Sequence, residues 1–341
     1  MDQIQSPSYT VSINNGFKVV SVRQGASLLA GLARNGIFIP SACGGNARCG
    51  YCKVKVVQGN TGLTPPEQPL ISAEEREAQI RLGCQFKVQS DCAIEIPPHL
   101  FSVKRFSGKV AKKSLLTYDI LHLTIDLIAP QTMDFIAGQY VQLKSAAYNG
   151  KDPVLRDFSI ASSPASKTSI ELMIRKIPNG IFTPWAFDIL KVGDPISFTG
   201  PYGEFRASQN VDKPMLLIAG GSGMAPIYSI LQDLYNKKQM RNSRYFFGAQ
   251  TQRDLFHISQ LSALEKDCPC FKFIPALSNE PVDTDWKGER GLITDVVSRN
   301  IPNCKDYEAY LCGSPGMINA CIKVLTDCGM PAQNIFYDKF S

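Results

Sequence analysis

The sequence has no long run of one charge sign, no internal repeat and no low-complexity segment. Its 36 Lys and Arg against 30 Asp and Glu leave a net charge of +6 over 341 residues. Nine basic and seven acidic side chains fall in residues 1–97, so the excess is spread along the chain. Such a thin excess gives no support for nucleic-acid binding. The N-terminus, MDQIQSPSYT, lacks a basic stretch followed by an apolar one, so no signal peptide is expected. One uncharged stretch, residues 214–232, could catch a hydropathy window, but Gly220, Gly221, Gly223 and Pro226 interrupt its centre. A strand, a glycine turn and a helix fit it better than a spanning helix. With 44% hydrophobic and 19% charged residues, disorder, collagen and coiled coil are excluded. Eleven Cys without a secretory signal point to a reducing compartment, where clustered thiols more often bind metal than pair. The expectation is a cytoplasmic protein with no membrane or nucleic-acid partner.

Three sections differ in pattern. Residues 1–97 open with two alternating runs, Tyr9–Ile13 and Phe17–Val22, joined by Asn14-Asn15-Gly16, a hairpin signal. A short helix over Ser27–Arg34, a Cys-rich loop, a strand at Cys52–Val57, an acidic helix near Ala73–Ala78 and a strand at Ala93–Ile96 follow. That order predicts a small β-grasp sheet, closed off by Pro97-Pro98. Residues 101–208 read as six short strands with one helix near Pro184–Leu190, which favours an antiparallel barrel. Residues 212–341 alternate strand and helix from Met215 to Tyr337, which predicts a parallel α/β domain.

Cys43, Cys49 and Cys52 lie within ten residues, and Cys84 follows after a gap of 31. A [2Fe–2S] cluster needs four thiolates, commonly spaced C-x4-C-x2-C with a distant fourth. Here the first gap is five residues. Gly44, Gly45 and Gly50 suit a loop that must turn sharply around a cluster. The alternatives are zinc or plain buried thiols, but zinc sites usually carry two C-x2–4-C knuckles and only Cys49/Cys52 forms one. Apart from Cys312, the remaining cysteines (92, 268, 270, 304, 321 and 328) show no clustering and read mostly as packing residues.

In the barrel section, Arg156 and Phe158 share one face of a predicted strand, with Asp157 and Ser159 on the other. An Arg beside an aromatic ring suits a phosphorylated planar cofactor, and the run Asn179 to Thr183 opens a helix whose free N–H groups favour an anion. Alone, the strand motif is weak and reads better as an exposed Arg on a barrel strand. Farther on, Gly221-x-Gly223-Met224-x-Pro226 follows a strand and starts a helix, the context of a dinucleotide turn. Pro226 replaces the third glycine and is tolerated in a first helical turn. The next strand ends at Gly248-Ala249-Gln250 with no acidic residue to hold a ribose hydroxyl.

Taken together, the four cysteines, Arg156-x-Phe158-Ser159, the Gly221 turn and Leu311-Cys312-Gly313-Ser314-Pro315-Gly316-Met317 resemble the ferredoxin–NAD(P)H reductase superfamily. The domain order is similar to the three-domain [2Fe–2S]/FAD/NADH reductase components of bacterial Rieske dioxygenases and multicomponent monooxygenases. The resemblance implies a cluster domain at 1–97, an FAD barrel at 101–208 and an NAD(P) domain at 212–341. It implies that Arg156, Phe158, Ser159, and Ser162 or Ser163, hold FAD, with Ile174, Arg175, Gly180, Ile181, Phe182 and Thr183 as a second flavin segment. Gly221, Gly223, Met224, Pro226 and Gly248 would hold the dinucleotide, and Cys312-Gly313 would lie near the nicotinamide. Phe340 would cover the flavin; Cys312, Phe340 and Ser159 would form the catalytic group. The five-residue cysteine gap is similar to the adrenodoxin type and to the flavin subunit of the sodium-pumping quinone reductase, whose N-terminal membrane helix this sequence is expected to lack. The implied function is an NADH-dependent reductase serving a terminal oxygenase. Alternatives are a reductase for a deoxysugar dehydratase or similar iron–sulfur enzyme, and a non-catalytic redox sensor or carrier.

Overall fold

The computed structural model describes residues 7–59 and 62–340; the first six residues, part of the N-terminal reading, lie outside them. The chain divides into two compact units. The first comprises Met1–Ser107, Val141–Asp157 and Ser197–Tyr202, and the second the remainder.

In the first unit, β1 (Ser8–Ile13) and β2 (Lys18–Arg23) pair antiparallel. Their turn places Asn14, Asn15 and Gly16 in the left-handed region (φ 49°, 55° and 83°), which a tight hairpin demands and these residues tolerate. Helix α1 (Leu28–Arg34) is capped by Ser27, whose hydroxyl accepts from the Ala30 N–H. It packs so closely on the sheet that a Cβ at Gly31 would stand 2.5 Å from Val22. Strand β3 (Lys53–Gln58), helix α2 (Ala73–Glu77), β4 (Ile80–Leu82) and β5 (Cys92–Glu95) complete a sheet in the order β2-β1-β5-β3-β4. The parallel pairing of β1 with β5 gives the expected β-grasp.

The barrel strands are β6 (Lys104–Leu115), β7 (Ile120–Ala129), β8 (Tyr140–Lys144), β9 (Leu155–Ser159), β10 (Ser169–Arg175) and β11 (Pro195–Tyr202). They form one sheet in the order β10-β7-β6-β11-β8-β9. Buried and exposed residues alternate along β6, β7 and β11, as a sheet with a core on one face requires. The expected barrel helix is instead a single α turn, α3 (Phe182–Pro184), that widens into a π turn over Trp185–Ile189.

The last domain alternates β12 (Met215–Gly220), α4 (Met224–Asn236), β13 (Ser243–Ala249), α5 (Ile258–Asp267), β14 (Phe271–Leu277), β15 (Glu289–Arg290), α6 (Ile293–Asn300), β16 (Glu308–Gly313), α7 (Pro315–Asp327) and β17 (Ile335–Lys339). Neighbouring strands pair parallel in the order β15-β14-β13-β12-β16-β17. Strand order reverses at β12, so a crevice opens beyond the carboxyl ends of β12 and β16, where such sheets bind ligands. Both faces are apolar: Leu217, Ala219 and Phe247 enter one core, and Leu216, Ile218 and Phe246 the other. Cys304 and Cys328 pack in the second of these cores, as expected, with Cα atoms 5.7 Å apart.

Candidate functional site

The four cysteines of the N-terminal domain gather as two pairs. Cys43 and Cys49 have sulfurs 3.4 Å apart, and Cys52 meets Cys84 side chain to side chain. The loop between them turns at Gly44, Gly45, Ala47 and Gly50, all at positive φ. Ser41 Oγ accepts from the Gly45 N–H, and Asn46 Nδ2 donates to the Cys43 carbonyl. Burial acts to raise the Cys43 thiol, but the backbone groups of Arg48, Cys49 and Asn46 outweigh it and hold it below the usual thiol value. The Cys52 thiol brings Cys84 down to about 6 and is itself pushed up. Among the described residues no three Cys, His, Asp or Glu converge on a single metal ion. Two thiol pairs suit two irons better than one zinc, so the residues fit a [2Fe–2S] cluster.

A buried strut holds the segment before Cys84. Arg81 and Glu67 are 2% and 0% exposed at the side chain and pair at 2.7 Å. Glu67 also accepts from the N–H groups of Thr64 and Leu82. Burial raises the Glu67 carboxyl, but Arg81 and those donors more than offset it and hold it low.

On β9, Arg156 Nη1 donates to the carbonyls of Leu155 and, at 3.4 Å, Ala42. It makes no ion pair among the described residues, so its charge is available to an anionic group. Phe158 lies 4.9 Å from Phe182, whose ring meets Trp185 edge-on at 5.2 Å. Ser159 is 5% exposed. Ser162 and Ser163 are already engaged: Ser162 Oγ accepts from Glu171 N, and Ser163 Oγ accepts from Ala165 N and Asn236 Nδ2. Thr183 Oγ1 donates to the Ile177 carbonyl and accepts its N–H, closing the loop that contains Gly180. Ile181 is exposed, and Ile174 is fully buried on β10.

The nucleotide turn is shaped by what a side chain would strike. A Cβ at Gly223 would stand 2.3 Å from the Cys312 carbonyl oxygen, and one at Gly221, which has φ +54°, would lie 3.2 Å from Arg175 Nη1. Met224 begins α4 and Pro226 is its third residue, where no backbone N–H bond is lost. Gly220, Gly221, Gly248, Ser314, Met317 and Arg175 contribute to the walls of a cavity of about 310 Å³. Arg175 is held by Asp119 at 3.1 Å, so this residue of the expected flavin segment faces the nucleotide turn. Glycine backbone, a helix N-terminus and a guanidinium together form an anion cradle that fits a dinucleotide.

Cys312, opposite Ala219 in the sheet, is 0% exposed, and burial pushes its thiol well above the usual range. Cys312 packs in the β12 core. Phe340 follows β17, donates its N–H to the Gly313 carbonyl at 2.9 Å and packs on the β12 core. Asp338, beside Cys312 across β16 and β17, belongs to none of the sequence motifs. Desolvation pushes its carboxyl up to about 6. Only strand register could have found it, because nothing in a D-x-F ending distinguishes it.

The 2Fe-2S iron-sulfur cluster binding domain family matches residues 12–89, the oxidoreductase FAD-binding domain family residues 107–207 and the oxidoreductase NAD-binding domain family residues 217–323. The matching component of the Na(+)-translocating NADH-quinone reductase of Methylococcus capsulatus is 31% identical over 96% of this chain and 90% of its own. That of Pseudomonas aeruginosa is 32% identical over 99% and 92%. Among solved structures, the Amycolatopsis cytochrome P450 reductase GcoB aligns with a TM-score of 0.79 at 28% identity, covering 97% of this chain and 98% of its own. The ferredoxin reductase in carbazole 1,9a-dioxygenase aligns at 0.75 and 26%, covering 98% and 99%. No helix among the described residues is long and apolar enough to cross a membrane. Cluster, flavin and nucleotide domains therefore follow one another along a single chain, and it belongs to the ferredoxin–NAD(P)H reductase superfamily as an NADH-dependent iron–sulfur flavoprotein oxidoreductase.

Proposed function

We propose that this protein is the reductase component of an oxygenase system, delivering electrons from NADH to a protein acceptor. The observation that carries this is likeness over whole chains: the two solved structures above span the chain end to end, and their names place one with cytochrome P450 and the other with a dioxygenase. Bound flavin supplies the conversion between two-electron and one-electron chemistry, and the cluster carries single electrons outward. The chain's residues position and insulate. Cys43, Cys49, Cys52 and Cys84 would hold the cluster, with Cys43 and Cys49 half-buried toward solvent and Cys52 and Cys84 buried. That asymmetry gives an acceptor access on the Cys43/Cys49 side. Arg156 would bind flavin phosphate, Phe158 and Phe340 would pack on its ring, and Ser159 would offer a hydroxyl beside it.

Gly221, Gly223 and the α4 N-terminus would take the dinucleotide phosphates, with Arg175 as the counter-charge. Cys312 and Gly313 would shape the nicotinamide pocket. The preference would be for NADH over NADPH. The strand end at Gly248 to Gln252 carries no cation, and the nearest one, Arg253, lies over the Tyr118 ring at 4.8 Å. An equal or higher kcat/KM with NADPH would overturn that assignment.

The quinone-reductase relatives favour a second reading, in which the acceptor belongs to a membrane complex. The two readings are separated by assaying NADH-driven reduction of a purified oxygenase component beside reduction of quinone-loaded membranes. Fast oxygenase turnover with idle membranes supports the first; the reverse supports the second.

A further inference from the structure

Beneath the cluster loop, within the first unit, lies a cavity of about 490 Å³. Its size falls within the range of small-molecule sites, roughly 300–1,000 Å³. Phe38, Phe198 and Tyr202 contribute aromatic walls, and Cys84 and Gly45 line it on the cluster side. Arg105, Lys144 and Lys87 supply three cations, and no carboxylate among the described residues lines it. Asp157, on the Leu155 face of β9, acts on the Tyr202 hydroxyl together with Arg105, so one carboxylate stands near the three cations and the site keeps a net positive charge. Arg105 is exposed, and its guanidinium lies over the Phe38 ring at 5.1 Å.

Gln142 is 3% exposed, and its Nε2 has no hydrogen-bond partner. A buried donor without an acceptor is costly, and a ligand oxygen would satisfy it. The cavity is also separate from the motif assigned to the flavin. Leu155 lines it, and Arg156 and Phe158 lie on the opposite face of β9 by strand alternation.

We propose that this cavity binds a planar amphipathic anion, an aromatic ring bearing one carboxylate, with the ring between Phe38, Phe198 and Tyr202 and the carboxylate at Gln142 and Arg105. Bound there, the ligand lies against Cys84 and changes the surroundings of the cluster.

The test is isothermal titration of the flavin- and cluster-loaded protein with naphthoate, beside inorganic phosphate and naphthalenemethanol. One-to-one binding of naphthoate in the micromolar range is expected, with each control weaker by about tenfold or more. Gln142→Leu and Lys144→Glu should each weaken naphthoate about tenfold, while flavin content and the NADH–ferricyanide rate stay unchanged. Naphthoate should also alter the electron paramagnetic resonance signal of the reduced cluster. No saturable binding, or binding indifferent to both substitutions, would overturn the proposal. Binding seen only after flavin removal would assign the cavity to the flavin and overturn it equally.

Discussion

The cluster loop and the nucleotide turn are both glycine-rich, and glycine does different work in each. Around the cluster, Gly44 and Gly50 adopt positive φ with space to spare or ordinary contact, so they bend the chain while the thiols supply the chemistry. At the nucleotide turn the space itself is the function: Gly223 touches the backbone of β16, and Gly221 leaves room for Arg175. One site depends on which side chains are present, the other on the absence of any. The first should therefore fail when an atom type changes, and the second when an atom is added.

The largest expected effect is Cys84→Ser. Replacing one thiolate should deplete or alter the cluster, and NADH-driven reduction of cytochrome c should fall by roughly two orders of magnitude or more, while ferricyanide reduction survives. Parallel loss of both activities would show that the cluster loop also supports the rest of the chain. Next comes Glu67→Ala, which leaves Arg81 charged and buried and should cost about 3–5 kcal/mol in urea unfolding of the first unit. Because the folded Glu67 carboxyl is held low, its stabilisation is present above the unfolded value, roughly 4.3, and is lost as pH falls through the folded value. The acid limb of the stability profile should accordingly flatten in a Glu67→Gln variant.

Gly223→Ala sharpens the comparison from the other side. The added methyl meets a backbone carbonyl that cannot swing away, so a loss of roughly 2–3 kcal/mol, shared between stability and NADH affinity, is expected. Gly44→Ala, with nothing within 4 Å of the new Cβ, should cost only the backbone strain of φ +65°, roughly 1 kcal/mol, and keep the cluster. The last effect is a pH dependence, at Asp338. Its carboxyl is raised to about 6, so its contribution to stability is full below the unfolded value and lost as pH rises through about 6. Asp338→Asn should remove that slope between pH 4 and 7 in pH-dependent unfolding.

Long, strongly patterned elements were legible in the sequence. Helix α4 spans the expected residues, and the Asn-Asn-Gly hairpin forms as expected, because periodicity and turn chemistry act locally. The short strands β4 and β15, three and two residues long, were not, since so few residues carry no period. The four cysteines grouped by their spacing do come together in the fold as two thiol pairs. Side-chain commitments were not legible: Thr183 and Ser163 match a motif, but their hydroxyls are taken by loop closure and by Asn236. Arg175 lay in an expected flavin segment and stands at the nucleotide turn, because β10 reaches that turn only in three dimensions. Cys304 and Cys328, 24 residues apart, meet only because α7 returns along β16.

The central claim is that electrons enter at the nucleotide turn, pass through the flavin and leave from the thiol-held cluster. Rapid-freeze electron paramagnetic resonance after anaerobic mixing with NADH, run beside stopped-flow flavin absorbance, tests that order directly. The account predicts that flavin bleaching comes first and the reduced-cluster signal rises after it, with the signal absent and the bleaching intact in Cys84→Ser. A cluster signal that precedes bleaching, or bleaching with no cluster signal in the native protein, would contradict it.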